Sequence, residues 1–468
     1  MKKFSGKKFA SLALFLLFAG IAVFGGAKTA AAEIKEIIGN VSRGNIVVYD
    51  PGQDNPRSKI CILMSYGSGR ATDTLPNAGM KRLADLGYRT ANCAPTVLTF
   101  IDQVKVLDLA VKWIKANVPG VEYVVLWGNS RGCNLISAFQ RIAERPDSYT
   151  PDVTGNTKAI DIPASYKTGD GRFTPADGII MADPNHGFMF NLLTVLATNL
   201  ADDGTGPGIG SAMSRPDDTL DPSNPANGYN PDDGSATYTP EFRKKIWKAQ
   251  AERYNGLLAK AKARWDAIQQ GYGMFSDDEP FTVVMGFGLA AENNYQLYIH
   301  DLSLFSNTEK PRKLLHNGGD ITTEEVVYSL RHPAKAQSAA NMVMMDKCYF
   351  STVSELLYLA LDVDPNTFSY DETKVYGVTG DDFSSAQSNA RYIEKPILAI
   401  GRTAGTEFHV AEWVYEACKD NNTKNDCIFI EGMTHGGGIL DNNPAYSNVV
   451  TNENNYIDTW LRDVFNIN

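Results

Sequence analysis

Short apolar runs alternate with segments of helical period along much of the chain. KICILMSYGSG (59–69) is a near-continuous apolar stretch ending in glycines, the signature of a strand buried on both faces of a parallel sheet. MKRLADLGYRTANCAP (80–95) predicts a helix, a glycine stop and a strand. FIDQVKVLDLAVKWIKANVPG (100–120) predicts an amphipathic helix with Val104, Leu107, Ala110, Val111 and Ile114 on one face, closed by Pro119-Gly120. VEYVVLWG (121–128) and DGIIMADP (177–184) are the next strands, and IIGNVSRGNIVVYDP (37–51) reads as two short β segments around a turn. Strands alternating with helices over 58–184 predict βαβ units and an α/β fold with a doubly wound, mostly parallel sheet.

The alternation breaks after about residue 185. A Gly/Pro/Asp-rich stretch (201–238) leads into a long helix with Thr239 as N-cap and Pro240 at its first position. The strand–helix pattern resumes with KPILAIG (395–401), HVAEWVYEACKD (409–420), CIFIEG (427–432) and YIDTWLRDVF (456–465). The simplest organisation is one core in two parts, 33–185 and 391–468, interrupted by a mainly helical lid insertion at 186–390.

The first residues form a separate unit. Lys2, Lys3, Lys7 and Lys8 precede an apolar run, 9–24, and small residues follow with an Ala-x-Ala site near Ala32. This pattern predicts a signal peptide over 1–32 and a secreted or periplasmic mature protein without a membrane span. The formal net charge of −10 argues against a nucleic-acid partner.

Six cysteines then belong in a compartment where disulfides persist. Cys418 and Cys427, close in sequence, are the best candidate pair. Cys61, Cys93 and Cys133 are expected as packed thiols. No Cys/His cluster predicts a structural zinc site. The acidic stretch 202–233 has no calcium-loop spacing and is read as solvated loop. No cofactor or metal is expected.

Gly128-Asn129-Ser130-Arg131-Gly132 places a serine between two glycines, after an apolar strand and before a helix. A sharp strand-to-helix turn of this kind exposes a serine hydroxyl as a nucleophile, which then needs a base and a group to orient that base. Among six histidines, His435 in IEGMTHGGG follows the last strand on a glycine-rich loop; His186, His409, His300, His316 and His332 are less well placed.

With these residues the chain resembles the α/β-hydrolases: Ser130 at the elbow and His435 after the last strand follow the family's order. The resemblance covers 58–184 and 390–466. It implies a serine hydrolase of carboxylic esters, working through an acyl-enzyme. It also implies an acid after KPILAIG, where Glu407 is the sole carboxylate, with Asp183 in MADPNHG as the alternative. The oxyanion donors it implies are the backbone N–H of Arg131 and that of Ser68 or its neighbour Gly67, with Tyr66 beside the substrate. Aromatic residues of the insertion (Phe188, Phe190, Trp247, Tyr254, Trp265, Phe275, Tyr295, Tyr298) suggest an apolar or aromatic substrate group. A serine peptidase or amidase on the same scaffold, and a non-catalytic binding protein on a degenerate one, are the rival readings.

Overall fold

In the computed structural model, the described residues are 35–41, 44–52, 55–66, 78–95, 99–148, 163–196, 198, 218–284, 296–329 and 348–467. The expected signal peptide (1–32), Gly67 and Ser68 lie outside them. Ten strands form one central sheet: β1 (Lys35–Val41), β2 (Gly44–Asp50), β3 (Ile60–Tyr66), β4 (Arg89–Pro95), β5 (Tyr123–Ser130), β6 (Gly178–Pro184), β7 (Arg312–Leu315), β8 (Ile321–Glu324), β9 (Ile397–Ala404) and β10 (Asp426–Thr434). Their order is β1-β2-β4-β3-β5-β6-β9-β10-β7-β8. Pairing is parallel from β4 through β7 and antiparallel at the two margins.

Two strands of this sheet, β7 and β8, come from the segment 186–390. They extend the sheet beyond β10 rather than standing apart from it. The segment 186–390 is therefore joined to the central sheet by backbone hydrogen bonds.

Because side chains alternate along a strand, each central strand feeds two apolar layers. Leu63, Val124, Leu126, Met181 and Ala399 pack toward α2 (Phe100–Asn117), α3 (Arg131–Glu144) and the insertion. Their neighbours Ile62, Met64, Val125, Trp127, Ile180 and Ile400 pack toward α1 (Ala78–Asp85) and α7 (Val449–Phe465) on the other face. Every residue of β6 and β9 is buried, and each strand carries an apolar run, 179–182 and 397–400, before its polar end. Between α3 and α7 in the chain lie α4 (Phe188–Val195), α5 (Pro240–Gln269) and α6 (Val410–Cys418). Thr239 caps α5, its side chain accepting from the N–H of Phe242 at 3.2 Å.

Cys61, Cys93, Cys133, Cys418 and Cys427 are buried free thiols. The Cys418–Cys427 pairing expected from sequence proximity is not formed. Cys427 directs its Sγ to the carbonyl of Ala411 at 3.7 Å, in the first turn of α6, whereas Cys418 ends that helix. Burial pushes the Cys418 thiol up to about 12, as expected for a packed neutral group.

Among the described residues no helix is long and apolar enough to cross a membrane, and no group of three or more His, Cys, Asp or Glu is arranged to hold a metal ion.

Candidate active site

The site is built where β5, β6, β9 and β10 end. Ser130 closes β5 and Arg131 opens α3, so the turn between strand and helix has no intervening loop. The turn is sharp enough to put Ser130 at φ 55°, ψ −127°, a conformation an L-residue adopts only when its surroundings impose it. Gly128 makes this possible. A Cβ there would lie 2.6 Å from the backbone N of Cys133 and from the carbonyl carbon of Gly132, so only glycine lets the helix start pack back on the strand. The Ser130 hydroxyl makes no capping hydrogen bond to the start of α3.

His435 follows β10 on the loop predicted for it. Its Nδ1 lies 2.6 Å from Oδ2 of Asp183, which is fully buried at the end of β6. A carboxylate accepts only, so Nδ1 donates and the proton-free Nε2 faces away from the acid. Burial works against the imidazolium, but the hydrogen bond and charge of Asp183 outweigh it, with help from the charge of Glu407, and His435 is held above the ordinary histidine value. Asp183 is itself at φ 48°, and its Oδ1 accepts from the backbone N–H of Arg402 at 3.1 Å.

The sequence placed Glu407 ahead of Asp183 as the partner of His435, and here the geometry corrects it. Glu407 accepts from Nδ1 of His186 at 2.7 Å and from the His186 backbone N–H at 3.3 Å. The space beside His435 belongs to Asp183: a Cβ at Gly405 would lie 2.1 Å from Asp183 Oδ2. The chain after β9 must therefore run as glycine past the β6 carboxylate, and its first acidic side chain arrives one turn later, against His186.

His186 extends into a second buried network, its Nε2 lying 2.8 Å from Nε2 of His409. Burial, then the neighbouring His186, pushes His409 well below the ordinary histidine value. Both rings are packed among Phe190, Phe305 and Trp413.

The expected oxyanion donors are only partly in view. Arg131 occupies the first position of α3, where backbone N–H groups lack intrahelical acceptors and the helix dipole is positive. Tyr66 ends β3 in register with Asn129, so the chain leaves β3 beside the elbow. The guanidinium of Arg131 lies over the Phe188 ring, 5.7 Å from its centroid, bringing the start of α4 to the same place.

Reasoning from sequence missed three further residues at this site. Asn129 donates through Nδ2 to the carbonyls of Ala182 at 3.0 Å and His435 at 3.1 Å. Arg402 donates through Nη1 to the His435 carbonyl at 2.9 Å. Glu453 of α7 binds the rest of that guanidinium.

No family model matches the chain, and no curated protein matches it. Solved structures similar to it include the DcsB complex with its substrate analogue, at 10% identity over 92% of this chain and 100% of that one, with a TM-score of 0.41. The α/β hydrolase GrgF from Penicillium sp. sh18 is 13% identical over 92% and 99% of the two chains, with a TM-score of 0.39. Est1E from Butyrivibrio proteoclasticus is 9% identical over 92% and 98%, with a TM-score of 0.36. The chain itself has a mostly parallel sheet with helices on its two faces.

Proposed function

We propose that the protein is a serine hydrolase of carboxylic esters in which Ser130, His435 and Asp183 form the catalytic triad. One observation carries this reading: a serine strained to positive φ at a strand-to-helix turn, tied through Asn129 to the loop of a histidine whose Nδ1 is held by a buried aspartate. Backbone strain of this kind persists where the surrounding structure is built to hold it, and it concentrates at functional sites.

In this mechanism Ser130 Oγ attacks the acyl carbon while His435 Nε2 takes its proton, and Asp183 stabilises the imidazolium that forms. The backbone N–H of Arg131, with a second donor from the loop after β3, Ser68 or Gly67, holds the oxyanion. His435 then protonates the leaving alcohol, and a water activated by the same imidazole cleaves the acyl-enzyme. The segment 186–390 acts as a lid, and Phe188, packed under Arg131, is its nearest aromatic wall. Residues 1–32 direct export.

The test is labelling of the purified protein by a fluorophosphonate probe, together with turnover of p-nitrophenyl esters. Wild type should label and turn over esters faster than peptide anilides, and Ser130→Ala should do neither. A folded wild type that neither labels nor hydrolyses esters overturns the proposal.

A further inference from the structure

We infer that Arg402 and Asn129 are positioning residues that together clamp the main-chain carbonyl of His435, with Glu453 as the neutralising counter-ion; this rests on the triad reading above. Strand β9 lies between the strand that ends in the acid and the strand that leads to the histidine. Arg402 on that middle strand touches both. Its backbone N–H donates to Asp183 Oδ1 at 3.1 Å, and its Nη1 donates to the His435 carbonyl at 2.9 Å. A register shift in the β9–β10 pairing falls at this residue, and such irregularities re-aim side chains at strand ends.

The guanidinium is held from behind. Nε and Nη2 donate to the two oxygens of Glu453, at 2.9 and 3.1 Å, and both side chains are almost wholly buried. Two donors are thus committed to α7 and one is aimed at the loop. Gly437, at φ 80°, lies against the same group, with a Cβ position only 3.4 Å from Nη2, so the loop backbone rests on the guanidinium face.

Asn129 supplies the second donor to that carbonyl while also bonding Ala182, the residue before the acid. The nucleophile turn, the acid's strand and the histidine loop are therefore fixed to one oxygen and its neighbours. A displacement of about 1 Å in such a constellation costs on the order of 100-fold in rate.

Charge explains the role of Glu453. A lone buried Arg beside His435 would oppose the imidazolium that forms during reaction, and would be costly to bury. Paired with Glu453, it acts as a hydrogen-bond clamp with little net field. The charged groups that bear on His435 are Asp183 of β6, Arg402 of β9, Glu407 after β9 and, through Arg402, Glu453 of α7. The Cys133 thiol of α3 lies near Asp183 and Arg402 and is held neutral by burial.

The test uses the full-length protein and three variants, Arg402→Gln, Glu453→Gln and Asn129→Ala. Ester turnover is followed against pH, and the His435 imidazole is titrated by NMR without substrate. Asn129→Ala should lower kcat about 10-fold and Arg402→Gln about 100-fold, each with KM changed by less than about 3-fold. The His435 titration should move down in pH in Glu453→Gln, where an uncompensated cation remains, and up in Arg402→Gln. A pair that served folding alone would lower stability and leave kcat of the folded enzyme within about 2-fold of wild type. Unmoved titrations in both charge variants, with kcat within about 2-fold of wild type in Asn129→Ala, overturn the inference. If Arg402→Gln does not fold, Glu453→Gln and Asn129→Ala decide by the same criteria. A wild type without ester turnover whose His435 titration still shifts as described would sink the triad reading and leave the clamp standing.

Discussion

Glu407 is bonded to His186, with Oε1 2.7 Å from Nδ1, and not to His435. The two candidate acids therefore bond two different histidines, and Glu407 reaches His435 only through its charge.

Substituting the acids should expose this division. Asp183→Asn leaves His435 without a carboxylate to fix its tautomer, and kcat for ester hydrolysis should fall by on the order of 10³–10⁴. Glu407→Gln should leave kcat within about 10-fold of wild type while costing roughly 1–3 kcal/mol of stability, because a buried donor loses its charged acceptor. Steady-state kinetics and urea unfolding of both variants measure the contrast. A collapse of kcat in Glu407→Gln with an active Asp183→Asn would reverse the assignment.

The acidic limb of activity should lie above pH 6.5, the ordinary histidine value. His435 acts as a base only when neutral, and the Asp183 contact, acting against burial, holds its folded-state pKa up. Activity therefore falls as pH drops through that raised value. Linkage gives the opposite trend for stability: the pair's contribution is full below about pH 6.5 and is lost as pH rises through the folded value. The stability gap between wild type and His435→Gln should accordingly be wider at pH 5.5 than at pH 9, read by denaturant titration.

His409 works in the other direction. Its folded value is depressed by burial and by His186, so the unfolded chain binds a proton that the folded one resists. This term costs nothing above about pH 6.5 and grows as pH falls below it, toward the folded value. His409→Gln keeps a polar partner for His186 without a titrating ring, so its Tm should fall less than that of wild type between pH 7 and pH 5. Equal acid sensitivity in the two proteins would refute this.

The sheet was legible because β5, β6, β9 and β10 are buried on both faces and carry unbroken apolar runs. The turn at Ser130 and the loop of His435 were legible because glycines mark both. The acid was not. Its choice depends on Gly405 passing Asp183 at close range, a contact between segments distant in the chain. Its one local sign is an aspartate ending an apolar strand before a proline. Arg402 and Glu453 were invisible for the same reason, since nothing near either residue announces a partner 51 positions away. Strands β7 and β8, four residues each, are too short for periodicity to register. Cys418 and Cys427 misled because closeness in sequence says nothing about where a buried thiol points.

Gly128 gives the most direct test of the elbow itself. A methyl group at this position would lie 2.6 Å from backbone atoms of Gly132 and Cys133, and backbone cannot swing aside as a flexible side chain can. Gly128→Ala must therefore either open the turn, moving Ser130 off its strained conformation, or push the start of α3 off β5. Overpacking of this kind costs about 1–3 kcal/mol, which denaturant titration should register. Fluorophosphonate labelling should fall further than that loss explains, since any unfolded fraction remains small while the geometry of Ser130 changes in every molecule. Alanine at the solvent-facing Gly436, where a Cβ meets nothing within 4 Å, is the matched control for stability. If Gly128→Ala labels at the wild-type rate, the strained turn is not what presents Ser130.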